Sequence, residues 1–548
     1  MFFTQNVNTP LLHKLSILNF RSIGMEGLLM KTKSHTSGSR YARSSVPSEG
    51  HRNRIKLALA WIVSAILLTG LLAFTILLVW AFTSRNMPAL HIWHTASLSG
   101  EFTARDAAPK STLQDYLDQE ERLFSELKKK VYDHVESTDD LKFCRYRAGG
   151  PQDPGRWETN WNRTFEFVPE HIQGGALLLH GLTDSPYSLR RIGEIFHAKG
   201  FYVLGLRLPA HGTIPCALTK VRWEDWVAAS RIGARHVRER IGSGRPFVIA
   251  GYSNGGALAV KYSLDALSDP DLPGPDRLLL FSPEIGISPL ALISNSHKLL
   301  SFLPYFAKFK WLSIEPEYDP FKYNSFPKNA AQQAHDITEV LNRQVKEVLA
   351  AGRFADFPTV LTFLSWIDDT VDTSATIHRL YDRLENEGSE LVVFDVNCFD
   401  QLAPFLPAAN RAPLVRLEAR SDLPYRLTVI TNVNRGSEHM TRRTKAPRSS
   451  EIDSTALTLA WPPGVYSLTH VAVPFSPDDP VYGANENVDS FYHGLPLGRL
   501  QPRGETHLLT APLSQLMRLR YNPFFEYLEE RVVMEIDHKL LGGKKGNP

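Results

Sequence analysis

Cysteine is scarce in this chain. Three in 548 residues, Cys144, Cys216 and Cys398, are odd in number and widely spaced, so neither a disulfide framework nor a zinc site is signalled. One optional disulfide stays open outside the cytoplasm. A surplus of charge is missing too: a net charge of +3 is too small for this length to argue for a nucleic-acid partner. A metal-ligand spacing is also lacking, because "FSPDDPVYGAN" (475–485) offers only two adjacent carboxylates and reads as a tight turn. What is present, 43% apolar and 22% charged residues, is a globular composition able to bury a large core. The chain is too long for one ordinary domain.

One stretch lacks charge altogether. From Leu57 to Phe82, "LALAWIVSAILLTGLLAFTILLVWAF" runs for 26 residues without a charged side chain. At about 1.5 Å per residue it exceeds the ~30 Å hydrocarbon core and can cross a bilayer with some tilt. Trp61 and Trp80 stand near its ends, where amphipathic rings favour the interface. Residues 37–56 carry Arg40, Arg43, Arg52, Arg54 and Lys56, whereas 83–102 carry only Arg85. The excess of positive charge places 1–56 in the cytoplasm and everything beyond Phe82 outside it. The run is too long for a cleaved signal peptide and no A-x-A site follows, so an uncleaved single-pass anchor is expected. Residues 1–56 are polar, Ser/Arg-rich and aperiodic, which predicts a disordered tail. Met25 or Met30 would serve equally as its start.

Beyond the anchor, 83–165 reads as a connecting region with one helix in "STLQDYLDQEERLFSELKKKVYDHV" (111–135). Strands and helices then alternate. "GALLLHG" (175–181), "FYVLGLRLPAHG" (201–212), "RPFVIAGYS" (245–253), "RLLLFSPEI" (277–285) and "PTVLTFLSW" (358–366) are apolar strand runs. "WEDWVAASRIGARHVRER" (223–240) and "NGGALAVKYSLDAL" (254–267) are helices between them. Continuous apolar strands alternating with helices predict an α/β fold, a mostly parallel sheet covered on both faces. Ligands in such sheets sit at the carboxyl ends of the strands. Residues 286–357 interrupt the pattern with the aromatic-rich "LLSFLPYFAKFKWLSIEPEYDPFKYNSF" and then "DITEVLNRQVKEVL", with Asp336 and Glu339 in capping-box positions. This insertion reads as a helical cap over the strand ends. Phe302, Tyr305, Phe306, Phe309 and Trp311 are its candidates for an acyl pocket.

Gly251-Tyr252-Ser253-Asn254-Gly255 is G-x-S-x-G between a strand and a helix. A sharp strand-to-helix turn strains the serine, and only residues without bulk fit two positions either side. The turn would lift the Ser253 hydroxyl clear of the sheet above a helix N-terminus that favours negative charge. Asn254 would offer its backbone N–H to an oxyanion, with a second N–H from the loop after "LLLHG". With "LLLHGLTDSPYSLR" (177–190), "LRLPAHGTIP" (206–215), "WEDW" (223–226), "GYSNGG" (251–256) and "SWIDDTV" (365–371), the chain resembles the α/β-hydrolases. The likeness is nearest to the monoacylglycerol-lipase and serine-aminopeptidase-like (lysophospholipase-like) branch, and it covers roughly 170–400. The resemblance implies ester hydrolysis by a Ser–Asp–His triad through an acyl-enzyme, with Leu182 as the second oxyanion donor. It calls for no cofactor.

The family's S/G-x-x-D-x-x-V pattern fits Asp368, because Val371 follows three residues on; Asp369 is the competitor. The histidine is displaced. The family places it soon after the next strand, here "ELVVFDV" (390–396), and none follows there. His439 in "NRGSEHMTRR" lies among polar residues that read as a mobile loop, while His470 in "GVYSLTHVAVPF" follows a strand-like run and suits delivery to a sheet edge. His493 and His507 lie further on. His180 and His211 precede the nucleophile and are assigned structural or gating roles. The expected triad is therefore Ser253, Asp368 and His470.

The expected organisation is a tail (1–56), an anchor (57–82), a connecting region (83–165) and a hydrolase core in two parts (166–285 and 358–540). The cap (286–357) separates those parts, and an insertion (398–465) lies within the second. The expected activity is that of a carboxylesterase or lipase (EC 3.1.1) on monoacylglycerol- or lysophospholipid-like esters, with the catalytic domain periplasmic. Acyl transfer or peptide cleavage by the same triad, or a silent hydrolase-like interaction module, are the alternatives.

Overall fold

The computed structural model describes residues 49–107, 111–286, 304–401, 411–484, 494–505 and 508–542. It divides the chain into two units, Met1–Ile76 and Leu77–Pro548. The described part of the first unit is one helix, which continues into the second as α1 (Glu49–Asn86). Its apolar side chains are exposed along 57–79 and at Phe82, while Trp80 and Ala81 are half-buried. Within that run the Thr69 and Thr75 hydroxyls donate to the Ala65 and Leu71 carbonyls four residues back, each at 2.8 Å, so neither is left unpaired in an apolar stretch. Among the described residues α1 is the one helix long and apolar enough to cross a membrane. It begins at Glu49, inside the stretch expected to be a disordered tail; residues 1–48 lie outside the described ones.

In the second unit the strands are β1 (Phe165–Phe167), β2 (Gly174–Leu179), β3 (Phe201–Leu206), β4 (Phe247–Tyr252), β5 (Arg277–Phe281), β6 (Trp311–Ser313), β7 (Phe326–Pro327), β8 (Thr359–Ser365), β9 (Glu390–Phe394), β10 (Arg426–Asn432), β11 (His439–Lys445) and β12 (Asp453–Ala460). Ten of them form one sheet in the order β1-β3-β2-β4-β5-β8-β9-β10-β11-β12, and β6 and β7 pair separately. From β3 to β10 neighbouring strands are parallel, while β1, β11 and β12 join antiparallel. The α/β-hydrolase fold expected from the sequence is the fold observed. Further helices are α2 (Ile92–Thr95), α3 (Leu113–Lys130), α4 (Arg190–Ala198), α5 (Trp223–Ile241), α6 (Asn254–Ser268), α7 (Lys328–Ala350), α8 (Thr373–Ala375), α9 (Ala412–Ala419), α10 (Leu513–Leu516) and α11 (Phe525–Met534). The alternation of each strand sorts its side chains between two cores. Leu177 and Leu179 pack with α3, α5, α6 and α7 on one face, and Ala176 and Leu178 with α4 and α11 on the other.

Three segments differ from the sequence reading. The connecting region is part of the body: Phe102, Leu113 and Tyr116 are buried in the main core. Glu120 and Glu101 bind the fully buried Arg207 guanidinium at 2.9 and 3.0 Å. The helix assigned to the cap begins eight residues before the capping-box signal, at Lys328, so Asp336 and Glu339 are interior to it. Its stripe of Ile337, Leu341, Val345 and Val348 packs into the main core, where α7 lies against α5 and α6. The insertion 398–465 carries β10, β11 and β12 and widens the sheet, whereas the strand-like run before His470 is loop.

Candidate active site

The turn between β4 and α6 places Ser253 in a left-handed conformation, φ 54° and ψ −118°. Its N–H donates to Phe281 O (3.0 Å), and its carbonyl accepts from Gly256 (2.9 Å) and Glu284 (3.0 Å). The flanking glycines have a steric cause. A Cβ on Gly255 would lie 1.9 Å from Leu179 O, and one on Gly251 would lie 2.4 Å from Gly255 O. Thr183, Ala210 and Ser282 also have positive φ, so strained backbone gathers in the loops that leave β2, β3, β4 and β5.

Asp368 follows β8. Its Oδ1 accepts from the amides of Thr370 (2.8 Å) and Val371 (3.0 Å), and its Oδ2 accepts from His470 Nδ1 at 2.8 Å. Burial raises the Asp368 pKa, but His470 and the two amides outweigh it and hold the carboxyl below its ordinary range. Asp369 is exposed. His470 is 4% exposed, in a short 3-10 turn, and its ring lies 5.4 Å from that of Tyr252, next to Ser253. The turn is anchored from further along the chain: Thr469 donates to Leu519 O, and Asn522 donates to Val473 O (3.3 Å). Ser253, Asp368 and His470 are thus brought to the same edge of the sheet. His439 is exposed at the start of β11, paired with Ala460, and is not among them. His493 and His507 lie outside the described residues.

Among the described residues, the amides of Leu182 and Asn254 donate to no protein acceptor. The loop carrying Leu182 is fixed on both sides. His180 donates from Nδ1 to Gly181 O (2.9 Å) and accepts at Nε2 from Leu208 N–H (3.0 Å). Burial, followed by the neighbouring His211, pushes its pKa well down, so it is a neutral structural group. Burial likewise lowers His211 to about 3, with its Nδ1 on Pro209 O at 3.0 Å. Lys322 binds Asp184 at 2.7 Å and Tyr323 N–H donates to Thr183 O (2.8 Å), which ties 322–323 to the same loop.

Of the acyl-pocket candidates, Phe309 and Trp311 are buried against Trp80 and His94, with centroids 6.1 and 4.9 Å apart. Phe302 lies outside the described residues, as do the side chains of Tyr305 and Phe306. A cavity of about 740 Å³ instead borders Asp368, lined by Trp366, Ile367, Val371, Ile377, Arg416 and Leu417 among others. Asp479 of the Pro-Asp-Asp-Pro turn accepts from Val481, Tyr482 and the Tyr187 hydroxyl, which gives it a structural role.

Sequence reasoning passed over Glu284, at the end of the quoted run "RLLLFSPEI". The residue is buried, its Oε2 has no partner among the described residues, and burial, then the charge of Asp368, raises its carboxyl to about 8. A carboxylate just past an apolar strand was the available signal.

Residues 176–398 match the sequence profile of the Alpha/beta hydrolase family. A thermostable monoacylglycerol lipase of Bacillus sp. (strain H-257) is 32% identical over 94 residues, 17% of this chain and 36% of that one. The chain therefore spans about a third of the length of the curated relative it matches. Similar solved structures include one from a study of the metagenome-derived lipolytic enzymes LipS and LipT (22% identity, 42% of this chain and 87% of that one, TM-score 0.34). A monoacylglycerol lipase of Paleococcus ferrophilus is another (17%, 42% and 88%, 0.32).

Proposed function

We propose, for a chain whose residues 176–398 match the Alpha/beta hydrolase family model, that it is a membrane-anchored serine hydrolase of carboxyl esters bearing an acyl chain. The observation that carries this reading is the 2.8 Å bond from His470 Nδ1 to Asp368 Oδ2, made across 102 positions of sequence beside the Ser253 turn. That bond leaves Nε2 unprotonated in the neutral ring and oriented. Nε2 then takes the Ser253 proton as Oγ adds to the ester carbonyl carbon. The N–H groups of Leu182 and Asn254 receive the negative charge that forms on the carbonyl oxygen. Collapse expels the alcohol, which leaves with the proton held by Nε2, and the acyl group stays on Ser253. Water repeats the sequence and frees the acid. The cycle is complete with these groups and water.

The cavity beside Asp368 has the size of a ligand pocket, ~300–1,000 Å³, and its lining is mixed: Trp366, Ile367, Val371, Ile377 and Leu417 offer apolar surface to an alkyl chain, beside the polar Asp372, His378, Arg416 and Arg420. Monoacylglycerols and lysophospholipids are the substrate class, in keeping with the lipase relative and with α1. α1 is the anchor, and the charge asymmetry around it supports a cytoplasmic tail and an extracytoplasmic, periplasmic catalytic domain. Hydrolysis of glycerol esters graded in acyl length tests the reading. Turnover that rises from acetyl to a longer chain and is absent from Ser253→Ala supports it. Cleavage of peptides but not esters would replace it with the peptidase alternative.

A further inference from the structure

Esters with long acyl chains reside in membranes, so the way the catalytic domain meets the bilayer governs which lipid reaches it. Lys308, in the 3-10 turn Pro304–Lys310, donates from Nζ to Ser84 O (3.1 Å) and Met87 O (2.8 Å), where α1 ends. A helix C-terminus leaves its last carbonyls without helical partners, and a cation there also meets the negative end of the helix dipole. The next residue, Phe309, is buried with its ring 6.1 Å from that of Trp80, and Lys328 Nζ stands 5.9 Å over the Phe309 ring. Trp80 and Ser84 are four residues apart, about 6 Å along the axis. A headgroup layer is about 5–7 Å deep on each side of the hydrocarbon core. With Trp80 at the rim of the apolar run, the Ser84 contact of Lys308 falls within that layer and the Met87 contact, about 10 Å along, lies just beyond its outer edge. Beside them Leu312 is 46% exposed, and Lys310 and Arg85 are exposed. An apolar side chain among cations suits a surface of anionic headgroups over acyl chains. The same stretch of chain continues to Lys322 and Tyr323, which hold the loop of Leu182.

We propose that residues 304–313 form a strap seated in the headgroup layer of the bilayer that α1 crosses, fastened by the last turn of α1, so that the ester reaches Ser253 from that leaflet. The proposal rests on the ester-hydrolase and anchor readings above. The test uses full-length protein in vesicles of phosphatidylcholine and phosphatidylglycerol. Leu312→Cys, in a Cys216→Ser background, carries an environment-sensitive fluorophore, and nitroxide lipids labelled near the headgroup are the quenchers. A blue-shifted, quenched label is the expected result. Leu312→Asp should lower turnover of vesicle-borne monoacylglycerol by ~5-fold or more, about the loss of one apolar contact with lipid, while a water-soluble acetate ester is cleaved within ~2-fold of wild type. Acetate turnover reports that the variant is folded. A label that stays in water, one shielded but unquenched (a protein cover instead), or equal loss on both esters would overturn the strap. Failure of the underlying readings looks different: wild type then cleaves no ester, or is stripped from vesicles by carbonate.

Discussion

At the residue scale, Ser253 holds a backbone conformation that costs a non-glycine residue about 1–3 kcal/mol. If the strain is kept for the hydroxyl, Ser253→Gly should melt higher than wild type, by roughly 1 kcal/mol of stability, while hydrolysing no ester. A lower melting temperature would show that the side chain supports the fold. His470→Ala and Ser253→Ala should each lower kcat by ~10³-fold or more, and the double variant should lose little beyond either, because members of a triad act as a unit. His439→Ala should stay within a few-fold of wild type, since that residue is exposed at the start of β11. Glu284 supplies a pH dependence. Its carboxyl is raised from 4.5 to about 8 by burial and then Asp368. Below the lower value both folded and unfolded states are neutral. Between the two values only the unfolded chain ionises, so stability falls as pH rises, and the fall levels off above the folded pKa. Glu284→Gln removes that slope, so its melting temperature should gain on wild type from pH 5 to pH 9. Parallel melting curves across that range would contradict the assignment.

At the element scale, the buried parallel strands were legible because two covered faces demand unbroken apolar runs: β3, β4, β5 and β8 lie within the runs read from sequence, and β2 begins one residue before its run. The carboxylate that meets His470 was legible from register: the Asp368 side chain is buried and bonded to His470, whereas Asp369, one residue on, is exposed. β11 and β12 were not legible. "HMTRRTK" is polar and "DSTALTLA" mixes apolar with polar residues on an exposed edge strand, so no apolar run announces β11 or β12. α7 was read as a helix but given to the cap, because an apolar stripe does not say which surface it meets. The connecting region hid its importance for a similar reason: Glu101 and Glu120 look like surface charges until Arg207 is found buried between them. Removing one partner of such a buried group costs about 3–5 kcal/mol. A shortened protein starting at residue 166 should therefore be insoluble, whereas one starting at residue 87 should fold and cleave a soluble ester. Soluble, active protein from residue 166 would show that 87–165 is dispensable.

At the scale of the whole molecule, the run 57–82 and the charges around it were plain in the sequence, because a membrane span needs only length and absence of charge. Orientation is a separate matter, resting on five cations before the run against one after it. A reporter that works only outside the cytoplasm, fused after Pro548, should be active. Activity from a cytoplasmic reporter alone would reverse the topology. The central claim is that this anchored chain cleaves esters through a serine activated by a histidine far along the sequence. Its most direct test is covalent labelling of the full-length protein in membranes by a fluorophosphonate, with the modified peptide identified by mass spectrometry. The account predicts one adduct, on Ser253, absent in Ser253→Ala and formed far more slowly in His470→Ala. An unlabelled Ser253 in folded protein, or labelling at the wild-type rate in His470→Ala, would contradict it.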